Sequence, residues 1–180
     1  MVSAAGKLAL EMLVGDPTIL NLAREVTAAI AESGAEGGVV GGIAVFLHGY
    51  ERTTADIDVF TTDRTQLADK LGARGFVWSA ERRQFEKSGI PVQLPAPDDK
   101  LPWYPSRYSE IEGIRVVTLA DLINMKMSTG TRFAHRARDW ADVADLVQTL
   151  GLDKSFSPKI DKAYRAEFKE LIDAIARDRG

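Results

Sequence analysis

The stretch from Gly41 to Phe60, GGIAVFLHGYERTTADIDVF, limits the possible folds more than any other part of the chain. A glycine pair closes an apolar run, a short helix-compatible segment follows, and the stretch ends on Asp56-Ile57-Asp58 in a strand-like alternation. Side chains at i and i+2 of a strand share a face, so Asp56 and Asp58 are expected to project together, with Ile57 and Val59 buried behind them. Adjacent carboxylates repel, and a bound cation, full solvation or a raised pKa relieves the repulsion. Gly41 and Gly42 supply the complement: backbone without Cβ atoms lets a ligand approach closely, and N–H groups opening a helix favour an anion. An anion cradle beside two acids points to a pocket for a metal-bound nucleotide. The competing reading is an exposed strand face with two solvated aspartates.

Gly41-Gly42, followed by Asp56-x-Asp58 with Arg52 and Thr54 ahead of it, resembles the core signature of the nucleotidyltransferase superfamily that includes DNA polymerase β. The likeness is greatest to the minimal nucleotidyltransferases and AbiEii-type toxins, in which a glycine pair precedes an R-x-T-x-D-hydrophobic-D segment. The resemblance implies an α/β (α+β) fold with a small mixed sheet flanked by helices and a C-terminal helical part. It implies Mg²⁺ (or Mn²⁺) held by Asp56 and Asp58, an NTP whose phosphates meet Gly41 and Gly42, and transfer of a nucleoside monophosphate to a hydroxyl. Arg52 and Thr54 are expected to fix the loop entering the aspartate strand, with phosphate contact as a further role. Lys126 and the segment Arg136-Ala137-Arg138-Asp139 resemble the lysine and R-x-K-D elements of the toxins. Lys126 and Arg138 are then expected to neutralise the triphosphate; the alternative for Arg138 is an ordinary i,i+4 pair with Asp142.

One position departs from that pattern. Ile90-Pro91-Val92-Gln93-Leu94 puts Gln93 where the family usually carries a third carboxylate that activates the attacking hydroxyl. A neutral amide can bind an oxygen or orient a ribose, but it cannot accept the hydroxyl proton. Glu86, Asp98 and Asp99 are the substitutes within reach in sequence. The alternative function is therefore a catalytically inactive domain of the same fold that binds a nucleotide or a protein.

Bulk properties exclude several other classes. The chain has 180 residues, 45% hydrophobic and 27% charged, with no cysteine, so it has no disulfide and no thiolate metal site. No run of 18 apolar residues could span a bilayer, and the N-terminal residues lack the succession of an export signal. A cytoplasmic protein without membrane contact is the expectation. A net charge of −3 argues against coating duplex DNA, although Arg82-Arg83 and the series Arg132, Arg136, Arg138 cluster positive charge. The acceptor is open to RNA, a protein or a small molecule, and a toxin-like role would imply a cognate antitoxin.

In chain order, helices are expected over 3–14 and from Pro17 to Ser33, with Asp16 as N-cap and Gly34 as stop. A strand Ala35–Val40 precedes the glycine pair and a helix Ile43–Leu47. The aspartate strand, Ala55–Thr61, leads to a capping box, Asp63 with Gln66, opening a helix to Ala73. Strands follow at Phe76–Ala80, Arg82–Glu86 and Ile90–Leu94, the last two joined through Lys87-Ser88-Gly89. Residues 95–110, with Pro95, Pro97, Pro102 and Pro105 beside Trp103, Tyr104 and Tyr108, read as a loop over apolar surface whose aromatics could also stack on a base. After a strand Ile114–Val117, Thr118 and Asp121 form a second capping box for a helix Leu119–Met127, broken by Ser128-Thr129-Gly130. Helices Arg132–Leu150 and Ser157–Arg177 complete the chain. Residues 1–117 are expected to form the α/β core and 118–180 a helical region packed on it as one folded unit.

Overall fold

The structure, a computed structural model, describes residues 18–94, 103–130 and 137–178. The expected helix over 3–14, the Asp16 cap, Asp98, Asp99, Arg132 and Arg136 lie outside these residues. Helices α1 (Thr18–Ser33), α2 (Gly41–Leu47), α3 (Arg64–Ala73), α4 (Leu119–Gly130), α5 (Ala137–Leu150) and α6 (Arg165–Asp178) surround one sheet. Its strands are β1 (Gly37–Val39), β2 (Ile57–Thr61), β3 (Val77–Ser79), β4 (Gln84–Lys87), β5 (Ile90–Gln93), β6 (Tyr108–Ile111) and β7 (Ile114–Val117). They lie in the order β3-β4-β5-β2-β1-β7-β6, with β2–β5 and β1–β7 parallel and the other neighbours antiparallel. This is a mixed α/β architecture of the expected class.

Apolar spacing produces these elements. Ile19, Leu22, Ala23, Val26, Ala29 and Ile30 recur at helical intervals along α1 and are buried against the sheet and α3. Gly34, with φ +69°, ends that helix. In β2 the alternation works as anticipated at Ile57 and Val59, which enter the same core as Val39, Val92 and Val116. Ile123, Met127, Val143, Val147 and Phe168 form a second cluster between α4, α5 and α6. Among the described residues, no helix is long and apolar enough to cross a membrane.

Several expected boundaries move, each for a physical reason. Asp56 lies in a bend ahead of β2, so only Asp58 of the pair is in the strand. β4 starts at Gln84 because Arg83 takes φ 55° in the turn after β3. The Ser88-Gly89 turn closes the β4–β5 hairpin as expected, both residues at positive φ. Residues 108–110, expected as the end of the loop, form edge strand β6 with Ile111, paired with β7 through a second positive-φ turn at Glu112-Gly113.

The second capping box does not form. Thr118 Oγ1 is buried with no partner, and Asp121, fully buried, instead accepts from the backbone N–H groups of Ser106 and Arg107 (both 2.9 Å) and from the Arg107 guanidinium. Nor does Ser128-Thr129-Gly130 break α4, since Ser128 donates back to the Met125 carbonyl (2.7 Å) and the helix continues. Ser157-Pro158 sits inside a 3₁₀ helix, Lys154–Lys159, capped by Asp153; α6 begins only at Arg165.

Candidate active site

Antiparallel pairing of β1 with β2 brings the glycine pair onto the acidic segment. The Val40 N–H donates to the Asp58 carbonyl at 2.8 Å, and the chain turns sharply at Gly41, whose φ is +62°. A Cβ at Gly41 would lie 1.9 Å from Asp58 Oδ2, and one at Gly42 would lie 2.5 Å from Thr54 Oγ1 and 3.5 Å from Arg52 Cζ. Both glycines are therefore required sterically, each by a different part of the Arg52–Asp58 segment.

Asp56 is held by neutral donors. Thr54 Oγ1 donates to Asp56 Oδ1 at 2.9 Å, and Gln93 Nε2 approaches Asp56 Oδ2 at 3.4 Å. Parallel β2–β5 pairing places Gln93 in register with Asp58. Glu86 shares that sheet face one strand further out, opposite Pro91. A hydrogen bond from Gln84, and then the charge of Arg82, hold its carboxyl below the usual glutamate range.

Asp56 and Asp58 are each half-buried and offer hard oxygen donors beside open backbone. Among the described residues, no group of three or more His, Cys, Asp or Glu is gathered to hold a metal. This donor set fits Mg²⁺, which typically takes one or two carboxylates and completes its shell with water and phosphate oxygens. It does not fit a metal that needs a full protein cage.

Behind this corner lies a second charged group. Lys126 Nζ donates to Asp139 Oδ1 at 2.9 Å and to Asp142 Oδ2 at 2.7 Å, and Arg52 also pairs with Asp142 Oδ2. Thr129 Oγ1 adds a 2.8 Å contact to Asp139. Lys126 and Asp142 are only 6% and 3% exposed, so the burial cost of their charges is met by mutual pairing. The structure thus brings Lys126 together with Asp139, Asp142 and, through them, Arg52. Arg138 is exposed in the first turn of α5 and does not pair with Asp142, which rules out the i,i+4 reading.

Asp142 is outside the sequence motif. What marks it is the spacing Asp139, Asp142, Asp145 on one side of α5. The third of these accepts from Tyr50, and that hydrogen bond raises the phenol's pKa. His48 ends α2, its Nε2 2.7 Å from the Val117 carbonyl, and burial pushes its pKa down.

No family model and no curated protein matches the sequence. Among solved structures, the chain is similar to the antibiotic-resistance factor ANT(2'')-Ia, an aminoglycoside nucleotidyltransferase. Identity is 17%, the match covers 91% of this chain and 94% of that one, and the TM-score is 0.54. The fold is nucleotidyltransferase-like. JHP933 from Helicobacter pylori aligns at 14% identity over 99% of this chain and 94% of that one, with a TM-score of 0.41.

Proposed function

We propose that the protein transfers a nucleoside monophosphate from an NTP to a hydroxyl acceptor at the corner formed by Gly41, Gly42, Asp56 and Asp58. The observation carrying this reading is the direct packing of the glycine bend on Asp58, within a nucleotidyltransferase-like fold. Asp56 and Asp58 would hold Mg²⁺ or Mn²⁺, which when bound neutralises phosphate charge during nucleotidyl transfer. The Gly41 and Gly42 backbone would let the triphosphate lie close, because no Cβ projects there. Arg52 and Thr54 hold the loop in register with the acids, Lys126 steadies Arg52 through their shared partner Asp142, and exposed Arg138 supplies positive potential. In the transfer the acceptor oxygen bonds to the α-phosphorus, the bond to the β-phosphate oxygen breaks, and pyrophosphate leaves. Gln93 cannot take the acceptor proton, so in this chain that proton passes to an aspartate oxygen of the pair or to water.

The same Gln93 favours a second reading, a non-catalytic nucleotide- or protein-binding domain, because its amide stands in register with Asp58 and reaches Asp56. Labelled NTPs with Mg²⁺ and total RNA, cell extract or small hydroxyl compounds separate the two. Transfer that falls on the order of 10²–10³-fold in Asp56→Ala and Asp58→Ala supports the enzyme, by the scale of losing one transition-state charge contact. Aspartate-dependent nucleotide binding without transfer to any acceptor supports the binding domain. An AbiEii-type toxin role, with an antitoxin partner, rests on the motif resemblance and is checked by growth arrest on expression that the Asp58→Ala variant fails to cause.

A further inference from the structure

A cleft of 360 Å³ opens between residues 103–107, α4 and the junction of the 3₁₀ helix with α6. None of its lining residues belongs to the glycine–aspartate corner. Its volume falls in the roughly 300–1,000 Å³ range of small-molecule sites. Arg107, Lys159, Lys162 and Arg165 line it, against the single acid Asp161, in a chain whose overall charge is −3.

The cations are fixed more than they are neutralised. Arg165 is held by the Ile160 and Pro158 carbonyls at 2.8 and 3.1 Å, which orient its guanidinium without cancelling its charge. Lys159 rests over the Phe156 ring at 5.0 Å, and Lys162 is exposed. Arg107 alone has a carboxylate partner, Asp121. The cleft's own acid, Asp161, is half-buried and within electrostatic reach of Lys162 and Arg165, so it offsets one of the positive charges; its Oδ1 accepts from the Ala163 N–H (2.9 Å), and Oδ2 lies 3.4 Å from Trp103 Nε1. That second contact also fixes the indole of Trp103 as one wall. Asn124, 1% exposed, accepts from the Asp161 N–H through its oxygen, which leaves its amide NH₂ as the end a ligand can use.

We propose that this cleft is a second phosphate-binding site, which takes a nucleotide unit with its phosphate on Lys159, Lys162 and Arg165 and its base against Trp103. Oriented cations set the phosphate position, and a flat indole beside them selects for an aromatic group over bare phosphate. The ligand chemistry is that of a free mononucleotide or of one residue within a single-stranded nucleic acid.

The test uses the full chain with EDTA present, so that binding at the aspartate corner does not contribute. Inorganic phosphate, adenosine 5′-monophosphate and a fluorescein-labelled uridine decamer are titrated separately, following tryptophan emission or fluorescence anisotropy. The expected result is binding of the mononucleotide or the decamer, weakened about tenfold or more in Lys159→Glu/Lys162→Glu and unchanged in Asp58→Asn. Equal affinity per nucleotide for monophosphate and decamer identifies a free nucleotide as ligand. Preference for the decamer, with a salt slope that drops by roughly 1 to 2 in the double variant, identifies a strand. The proposal is overturned if neither nucleotide probe binds, if inorganic phosphate binds as well as both, or if charge reversal leaves binding intact. Loss in Asp58→Asn alone also overturns it, by returning the ligand to the corner. Because transfer activity is never read, these outcomes stand apart from the fate of the proposed reaction.

Discussion

Two clusters of acids lie either side of Arg52 and are handled in opposite ways. At the corner, Asp56 is served by the neutral donors Thr54 and Gln93, and Asp58 packs against side-chain-free backbone at Gly41. In the brace, Asp139 and Asp142 meet Lys126, and Asp142 meets Arg52 as well. Neutral donors orient a carboxylate but leave its charge to be cancelled from outside, whereas buried cations cancel it within the fold. Asp56 thereby keeps a charge for an outside cation to meet, and the brace needs none. Arg52 joins the two, with its guanidinium on Asp142 and its Cζ beside Gly42.

The largest effect should come from breaking the brace. Asp142→Ala leaves Lys126 and Arg52 without their shared partner, and loss of one member of a buried pair costs about 3–5 kcal/mol. Urea unfolding should show the unfolding free energy falling by that amount, while Asp56→Ala stays within about 0.5 kcal/mol of the parent, as expected for a carboxylate held by neutral donors. Equal losses in the two variants would erase the distinction between the clusters.

A smaller effect separates close approach from conformational strain. Gly41→Ala and Gly34→Ala both put alanine at positive φ, +62° and +69°, but only the first drives a Cβ onto Asp58; around Gly34 nothing lies within 4 Å. Gly34→Ala should lose about 1 kcal/mol and Gly41→Ala about 1–3 kcal/mol, with Mg²⁺–nucleotide affinity falling in Gly41→Ala alone. Calorimetric titration beside thermal melting reads both quantities. Unchanged affinity in Gly41→Ala would detach the glycine bend from the ligand.

The corner was legible in the sequence because it is local. Gly41-Gly42 and Arg52-x-Thr54-x-Asp56-x-Asp58 lie within twenty residues, although strand periodicity reaches only Asp58, since Asp56 sits in the bend ahead of β2. Gln93 was also legible, since β5 carries its own alternation into register with Asp58. The brace was not: Arg52 and Asp142 are 90 residues apart in sequence, and a helix-surface aspartate looks solvated until the fold covers it. Local pattern misled at Thr118–Asp121 for the same reason. The spacing fits a capping box, but a tertiary demand, the backbone N–H groups of Ser106 and Arg107, takes the carboxylate away. Strand β6 was hidden by the proline-rich run ahead of it, although the Glu112-Gly113 turn was its signal.

The smallest effect tests what happens when a buried titratable group has only a neutral partner and no ligand to receive. His48 closes α2, the helix that starts at the glycine pair, and its ring faces the Val117 carbonyl. Burial lowers its pKa below the ordinary 6.5, so it sheds its charge where the corner acids would recruit a cation. The unfolded chain then takes up a proton before the folded one does. Its contribution to stability should be intact above pH 6.5 and lost as pH falls through the folded pKa, with a slope of at most about 1.4 kcal/mol per pH unit. His48→Gln can keep a donor to Val117 while removing the titration, so the parent and variant stability curves should run parallel above pH 6.5 and diverge below it, the parent falling more steeply. Parallel curves throughout would mean that the imidazole is solvated enough to hold its proton, and that α2 is anchored to β7 by some other contact.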